Sequence, residues 1–164
     1  GIKGLQNWAN ESQKADAKKR IETVKVWIEK TPARDTEDRV FRLLGLHTAK
    51  SSKKLIEEAT QELLKTQRLD GGFGQLDSLP SDAYATGQAL AALHEAGGLS
   101  TDSPAYRRGV MYLLNTQKSD GTWYVKSRSK PFQNYYESGF PHGKDQFISV
   151  AASGWATTGD LGRK

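Results

Sequence analysis

Two stretches fifty residues apart read almost alike: Leu63 to Phe73 runs Leu-Leu-Lys-Thr-Gln-Arg-Leu-Asp-Gly-Gly-Phe, and Leu113 to Trp123 runs Leu-Leu-Asn-Thr-Gln-Lys-Ser-Asp-Gly-Thr-Trp. Six of the first nine positions are identical in register. Self-similarity at a fixed period of tens of residues marks stacked units, each too small to bury its apolar face alone. Each copy holds an apolar helix end, a Gln, an Asp-Gly turn and an aromatic residue. The chain is therefore expected to build the same local structure twice.

Around these copies, apolar residues recur at steps of three and four, the spacing of amphipathic helices. Residues 1–11 read as the tail of an earlier helix, with Leu5 and Trp8 on one side. Residues 12–30 carry one stripe, Ala17, Ile21, Val24, Trp27 and Ile28, and Pro32 ends that helix. Asp35-Thr36 then offers an N-cap for a helix whose Val40, Phe41, Leu43, Leu44 and Leu46 point around more than one face, predicting burial on both sides. Ser51 or Ser52 starts a third helix with the stripe Leu55, Ile56, Ala59, Leu63 and Leu64. Ser81-Asp82 starts a fourth, residues 83–96, rich in small side chains that permit close helix approach. Ser103-Pro104 starts a fifth, since Pro suits the first helical position. A linker over 124–143 leads to a sixth over 144–158.

One-sided and two-sided helices thus alternate as outer and inner. The expected fold is all-α: an arc of about three helical hairpins in two layers, half of an (α/α)6 barrel. Residues 1–164 are read as a single domain, with hairpins at 12–50, 51–98 and 103–161. Aligning Tyr84-Ala-Thr-Gly with Trp155-Ala-Thr-Thr sets the two later inner helices 71 residues apart, so the last linker is expected to carry about 21 extra residues. The chain opens on Gly1-Ile2 without Met and is expected to be cut from a longer protein. An arc has open edges, which a second copy or the other half of the toroid would cover.

The motif resembles the QW repeat of the squalene-hopene cyclase and prenyltransferase superfamily, an alpha-alpha toroid fold. Gln117, Gly121 and Trp123 match it. Gln67, Gly71 or Gly72, and Phe73 match it with Phe in place of Trp, and the first hairpin matches only in helix order. The physical reading of these residues is structural: Gln satisfies orphan backbone groups at an outer helix end while the aromatic packs over the glycine loop. The resemblance implies a toroid usually closed by six hairpins. Cyclases of the superfamily use an Asp-x-Asp-Asp acid cluster, and no such cluster occurs here. Asp35 to Asp38 is the nearest sequence and reads as a capped helix start. The zinc chemistry of protein prenyltransferases needs a Cys, and the chain has none. No cofactor and no metal is implied.

A net charge of +5 hints at an anionic partner, yet the Lys and Arg residues are dispersed along outer faces and turns without interleaved aromatics, so no nucleic-acid partner is expected. No apolar run reaches the roughly 20 residues of a membrane span. The remaining place for chemistry is the rim before the last inner helix. Tyr135, Tyr136, Phe140, His142 and Asp145 cluster in sequence there, and Tyr84 and Trp155 lie on inner helices; these seven are the candidate ligand contacts. His142 with Asp145 reads foremost as a hydrogen-bonded structural pair, and Asp82 as an N-cap. His47 and His94 receive no role. The expected function is a non-catalytic module that binds an apolar group, a peptide or a partner domain. The alternatives are a terpenoid cyclase-type enzyme whose catalytic acid lies outside this chain and, more weakly, a polysaccharide-active toroid with Asp82 and Asp145 as paired carboxylates.

Overall fold

The computed structural model describes residues 1–130 and 134–160. Pro131 of the predicted linker and residue 161 of the last predicted hairpin lie outside them. The described residues form seven α-helices: α1 (Ile2–Trp8), α2 (Lys14–Lys30), α3 (Thr36–Thr48), α4 (Lys53–Leu64), α5 (Ala83–Glu95), α6 (Pro104–Thr116) and α7 (Gln146–Asp160). The fold is an all-α, toroid-like arc. The one sheet among the described residues is the two-residue antiparallel bridge of β1 (Phe73–Gly74) and β2 (Ser81–Asp82), which the sequence pattern did not predict.

The helix starts lie where the capping residues put them. Asp35, Ser52, Asp82 and Ser103 each accept a backbone N–H from three residues on, and Pro104 sits at the start of α6. The last helix begins two residues later than the expected 144, because Gly143–Asp145 form a 3-10 turn entered through His142 with φ of 80°.

α3, α5 and α7 touch in a row. Behind them, α2 packs on α3, α4 on α3 and α5, and α6 on α5 and α7. Two clusters fill the space between the layers. Val40, Leu43, Leu46, Leu63 and Phe73 meet Ala89 and Leu93 in one. Leu90, Tyr106, Val110, Leu113 and Trp123 meet Ala152 and Ala156 in the other.

Burial on more than one side holds best for α5, where all but Tyr84, Ala91, His94 and Glu95 are buried. The other two inner helices differ from expectation. Phe41 of α3 is 50% exposed and Phe147 of α7 is 59% exposed, since each terminates the row and lacks a neighbour on one flank among the described residues. The first outer helix differs as well. Of its stripe only Ala17 is buried and Trp27 is 64% exposed; Trp8, read as sharing one side of a helix tail with Leu5, is 83% exposed.

The repeated motif builds the same loop twice. In the first copy, Arg68 N donates to Gly72 O, Gly71 N to Arg68 O, and Asp70 Oδ1 accepts from Gly72 N. In the second, Lys118 N donates to Thr122 O, Gly121 N to Lys118 O, and Asp120 Oδ1 accepts from Thr122 N. Gly71 and Gly121 take φ of 85° and 82°, the left-handed region where glycine alone costs nothing. Gln67 and Gln117 each donate to the carbonyl of that glycine at 2.9 Å, so the acceptor is a loop carbonyl rather than one of the helix-end groups expected from the sequence.

The following aromatic is tied to the next inner helix. Phe73 N donates to Thr86 Oγ1 at 2.9 Å on α5, and Trp123 N donates to Ser153 Oγ at 3.2 Å on α7. These bonds make Thr86 and Ser153 equivalent and correct the alignment made from sequence. The inner helices are offset by 67 residues rather than 71, one helical turn less, so Gly87 corresponds to Gly154 and the linker insertion is 17.

Candidate functional site

Equivalent N-caps and equivalent anchors put α3, α5 and α7 in common register. Asp35 matches Asp82, and Thr86 matches Ser153. The least covered stripe of α5 runs through Tyr84, Ala91 and Glu95, with the buried Gln88 between them; these positions follow the i, i+4, i+7, i+11 spacing of a single helix face. Its counterparts are Glu37, Phe41, Leu44 and Thr48 on α3, and Ala151, Trp155 and Thr158 on α7. Outer helices cover the opposite side of this row, so the stripe is the uncovered inner face.

Tyr84 and Trp155, two of the seven sequence candidates, lie on this face. Phe41, Leu44, Gln88 and Glu37 belong to it and were not singled out as contacts. A signal existed, because counting from the Asp35 and Asp82 caps aligns Phe41 with Gln88. Phe41 also borders a cleft of about 500 Å³ with Trp27, Ile28 and Pro32. Its middle is apolar and aromatic, through Phe41, Leu44, Tyr84, Ala91, Ala151 and Trp155, with Gln88 buried among them, Thr48, Glu95 and Thr158 toward the helix ends, and a charged corner at the helix starts. There Tyr84 OH donates to Glu37 Oε1 at 3.2 Å, and Arg128 Nη2 from the linker stands 3.6 Å from Asp35 Oδ2 and 4.0 Å from Glu37 Oε2. Burial, followed by the Glu37 carboxylate, pushes the Tyr84 hydroxyl up from its ordinary value.

The five linker candidates form a separate rim. His142 and Asp145 share a junction, as expected, but their side chains do not bond each other. His142 Nε2 meets Thr122 Oγ1 at 2.8 Å, and its ring packs edge-on to Tyr124 with centroids 5.5 Å apart. Asp145 accepts from Tyr124 OH and from Ser127 N, both at 2.8 Å. Both groups therefore hold Tyr124 and the linker to the second repeat loop. Tyr135 OH bonds Glu137, and Tyr136 is 72% exposed while its carbonyl accepts from Gln146 Nε2. Phe140 is about half exposed. The fully buried Gln146 is the anchor of this segment, accepting from Ser138 as well.

The acids are engaged as caps. Asp35 accepts from Asp38 N, and Asp38 Oδ2 from Arg34 N, as a capped start requires. Asp82 Oδ1 accepts from Ala85 N at 2.9 Å and Oδ2 from Gln75 Nε2 at 3.0 Å. Burial raises the Asp82 carboxyl above its ordinary 3.8, against the opposing pull of these hydrogen bonds. The folded chain thus holds this proton more tightly than the unfolded chain, and ionising Asp82 costs stability as pH rises above 3.8. Asp82→Asn keeps the cap and removes the ionisation. Its unfolding free energy at neutral pH should lie within about 0.5 kcal/mol of the parent, whereas Asp82→Ala should lose about 1–2 kcal/mol. Urea unfolding across the acid range checks both, and a parent whose stability rose with pH faster than that of Asp82→Asn would refute the account.

Among the described residues no helix is long and apolar enough to cross a membrane. Residues 50–148, more than half of the chain, match the family described as the squalene-hopene cyclase C-terminal domain. The chain is 32% identical over 131 residues to the squalene--hopene cyclase of Bradyrhizobium diazoefficiens, covering 69% of this chain and 18% of that protein. It is 36% identical over 89 residues to the drimenyl diphosphate synthase of Streptantibioticus cattleyicolor, covering 54% of this chain and 15% of that protein. The drimenyl diphosphate synthase of Streptomyces showdoensis is 30% identical over 114 residues, covering 65% and 20%. The chain thus spans a fifth or less of the length of these relatives.

Proposed function

Since the chain belongs to the squalene-hopene cyclase family, as part of its C-terminal domain, we propose that its uncovered inner face forms a section of the wall of an apolar substrate cavity in a terpenoid-cyclase-type protein. The observation that carries this reading is the registered stripe of Phe41, Leu44, Tyr84, Ala91, Ala151 and Trp155 on three neighbouring inner helices. In this reading the chain supplies shape and aromatic surface, and the acid that starts a cyclisation comes from elsewhere in the protein. An aromatic face suits a polyprenyl chain by burying its hydrocarbon and by stabilising positive charge over ring faces.

The remainder of the toroid would continue from the third repeat, whose edge is ready for it. Gln67 reaches across to the next outer helix, donating to Ala105 O at 2.7 Å and accepting from Arg108 Nη2 at 2.8 Å. The Gln117 side chain makes only the bond to its own loop among the described residues. Gly71 is pressed against Arg108 O, whereas its counterpart Gly121 has open space, and so does Gly154, the counterpart of the closely packed Gly87. A further hairpin seated on α6 and α7 would fill all three places. The same edge could instead be covered by a second copy, the homodimer reading, which sedimentation would distinguish.

Titration of the chain with farnesol, followed by tryptophan fluorescence, tests the apolar wall. Saturable quenching is expected, and Phe41→Ser with Trp155→Ser should weaken it about ten-fold, the consequence of losing roughly 1.4 kcal/mol or more of apolar contact. Linear, unsaturable quenching, or saturable binding indifferent to both substitutions, would remove the support for this reading. A peptide-binding module, the other function consistent with an open apolar face, would give that second result.

A further inference from the structure

A second cavity, of about 300 Å³, opens where the start of α3 meets the end of α4 and the first repeat loop. Its charged lining is Arg39, Lys65, Arg68 and Asp77. Arg39 leaves α3 two residues after Glu37, roughly 200° around the helix, so this cavity is not part of the inner face and its fate is independent of the reading above. The guanidinium of Arg39 is the unexplained group. Its side chain is only 14% exposed, and Nε and Nη1 are buried without a hydrogen bond. Glu62 Oε1 faces Nε from 3.7 Å, too far for a hydrogen bond, and Glu62 Oε2 is held by Arg42 at 3.1 Å.

The other polar groups do not relieve it. Thr36 Oγ1 donates to Gly74 O at 2.6 Å and Thr66 Oγ1 to Leu63 O at 2.7 Å. Arg68 Nη2 clamps the loop through Leu76 O and Asp77 O. Lys65 makes no ion pair among the described residues. A buried guanidinium short of hydrogen bonds is costly, and the lining of Arg39, Lys65 and Arg68 against Asp77 stays net positive even with Glu62 counted beside Arg39.

We propose that this cavity is a binding site for a phosphoryl anion, held by Arg39 and Lys65 with Arg68 at its rim. A phosphoryl anion is drawn to this positive excess, and its oxygens accept from guanidinium and ammonium donors together. The site is distinct from any hydrocarbon-binding surface and would take inorganic phosphate or the phosphate end of a larger molecule.

The test is calorimetric titration of the 164-residue chain with inorganic phosphate and with diphosphate at low ionic strength, with acetate as the competing anion. Saturable phosphate or diphosphate binding that weakens on adding salt is expected. Lys65→Gln, at an exposed position, should weaken it about ten-fold through loss of one charge-assisted contact, while Lys54→Gln, outside the cavity, should leave it within about two-fold. Arg39→Gln should abolish it, provided its circular dichroism overlays that of the parent. Absence of saturable heat, equal affinity for acetate, or indifference to Lys65→Gln would overturn the proposal. Binding of diphosphate with none of phosphate would support a longer phosphoryl ligand at the same site.

Discussion

Replacing Gly87 with alanine is expected to destabilise the fold by about 3 kcal/mol, the upper end of what overpacking costs when backbone rather than a flexible side chain must move. A Cβ at this position would stand 2.4 Å from the Trp155 carbonyl carbon and 2.6 Å from both Trp155 O and Ala156 N. No rotamer relieves such contacts, so α7 would have to withdraw from α5 along the crossing they share. The withdrawal would pull Ala152 and Ala156 off Leu90, opening the second core cluster. Helix propensity works the other way, favouring Ala over Gly by about 1 kcal/mol, and the clash outweighs it. Gly154→Ala is the matched comparison, because register makes it the same position one repeat later while nothing lies within 4 Å of its Cβ among the described residues. That variant should gain up to about 1 kcal/mol. Urea unfolding followed by far-UV circular dichroism reads both signs. Equal effects at the two glycines would mean that α5 and α7 do not meet as described.

The opposite signs expected at equivalent glycines show which parts of this molecule sequence reading could reach. Helix starts were legible because a cap is a local event: Asp35, Ser52, Asp82 and Ser103 each satisfy an N–H three residues on, whatever the rest of the chain does. The paired loops were legible for the same reason. Register between inner helices was not, because the side chains that fix it are small hydroxyls, Thr86 and Ser153, while the resemblance of Tyr84 to Trp155 lies one turn away. Exposure of Phe41 and Phe147 was hidden as well. An apolar helix side predicts that something covers it, without saying whether the cover belongs to the same stretch of chain. The candidate site divides along this line. Tyr84 and Trp155 fall on the inner face because helical periodicity carries them there. His142 and Asp145 were correctly placed at one junction, and their separate partners, Thr122 and Tyr124, arise from a linker whose path no periodicity encodes.

Truncating Phe73 to alanine should cost about 4 kcal/mol, within the range for a fully buried aromatic whose removal leaves a cavity. Phe73 has no exposed surface and sits among Leu43, Leu63, Ala85 and Ala89, so its ring is shared by α3, α4 and α5. Its backbone is fixed at both ends, by Thr86 through its N–H and by the pairing of β1 with β2, so the loop cannot fall inward to fill the space. The equivalent Trp123 belongs to an edge repeat. It retains some exposure, and its indole Nε1 donates to Leu113 O at 2.8 Å, a bond that a Phe in the same place cannot make. Trp123→Phe should therefore lose only about 1 kcal/mol, the net worth of one hydrogen bond. The contrast separates the two roles of the repeated aromatic: a keystone where repeats stack on both sides, and a tethered lid where one side is uncovered. Chemical denaturation gives the comparison directly. A Phe73→Ala variant less damaged than Trp123→Phe would show that the first repeat loop, rather than the second, is the loosely packed one.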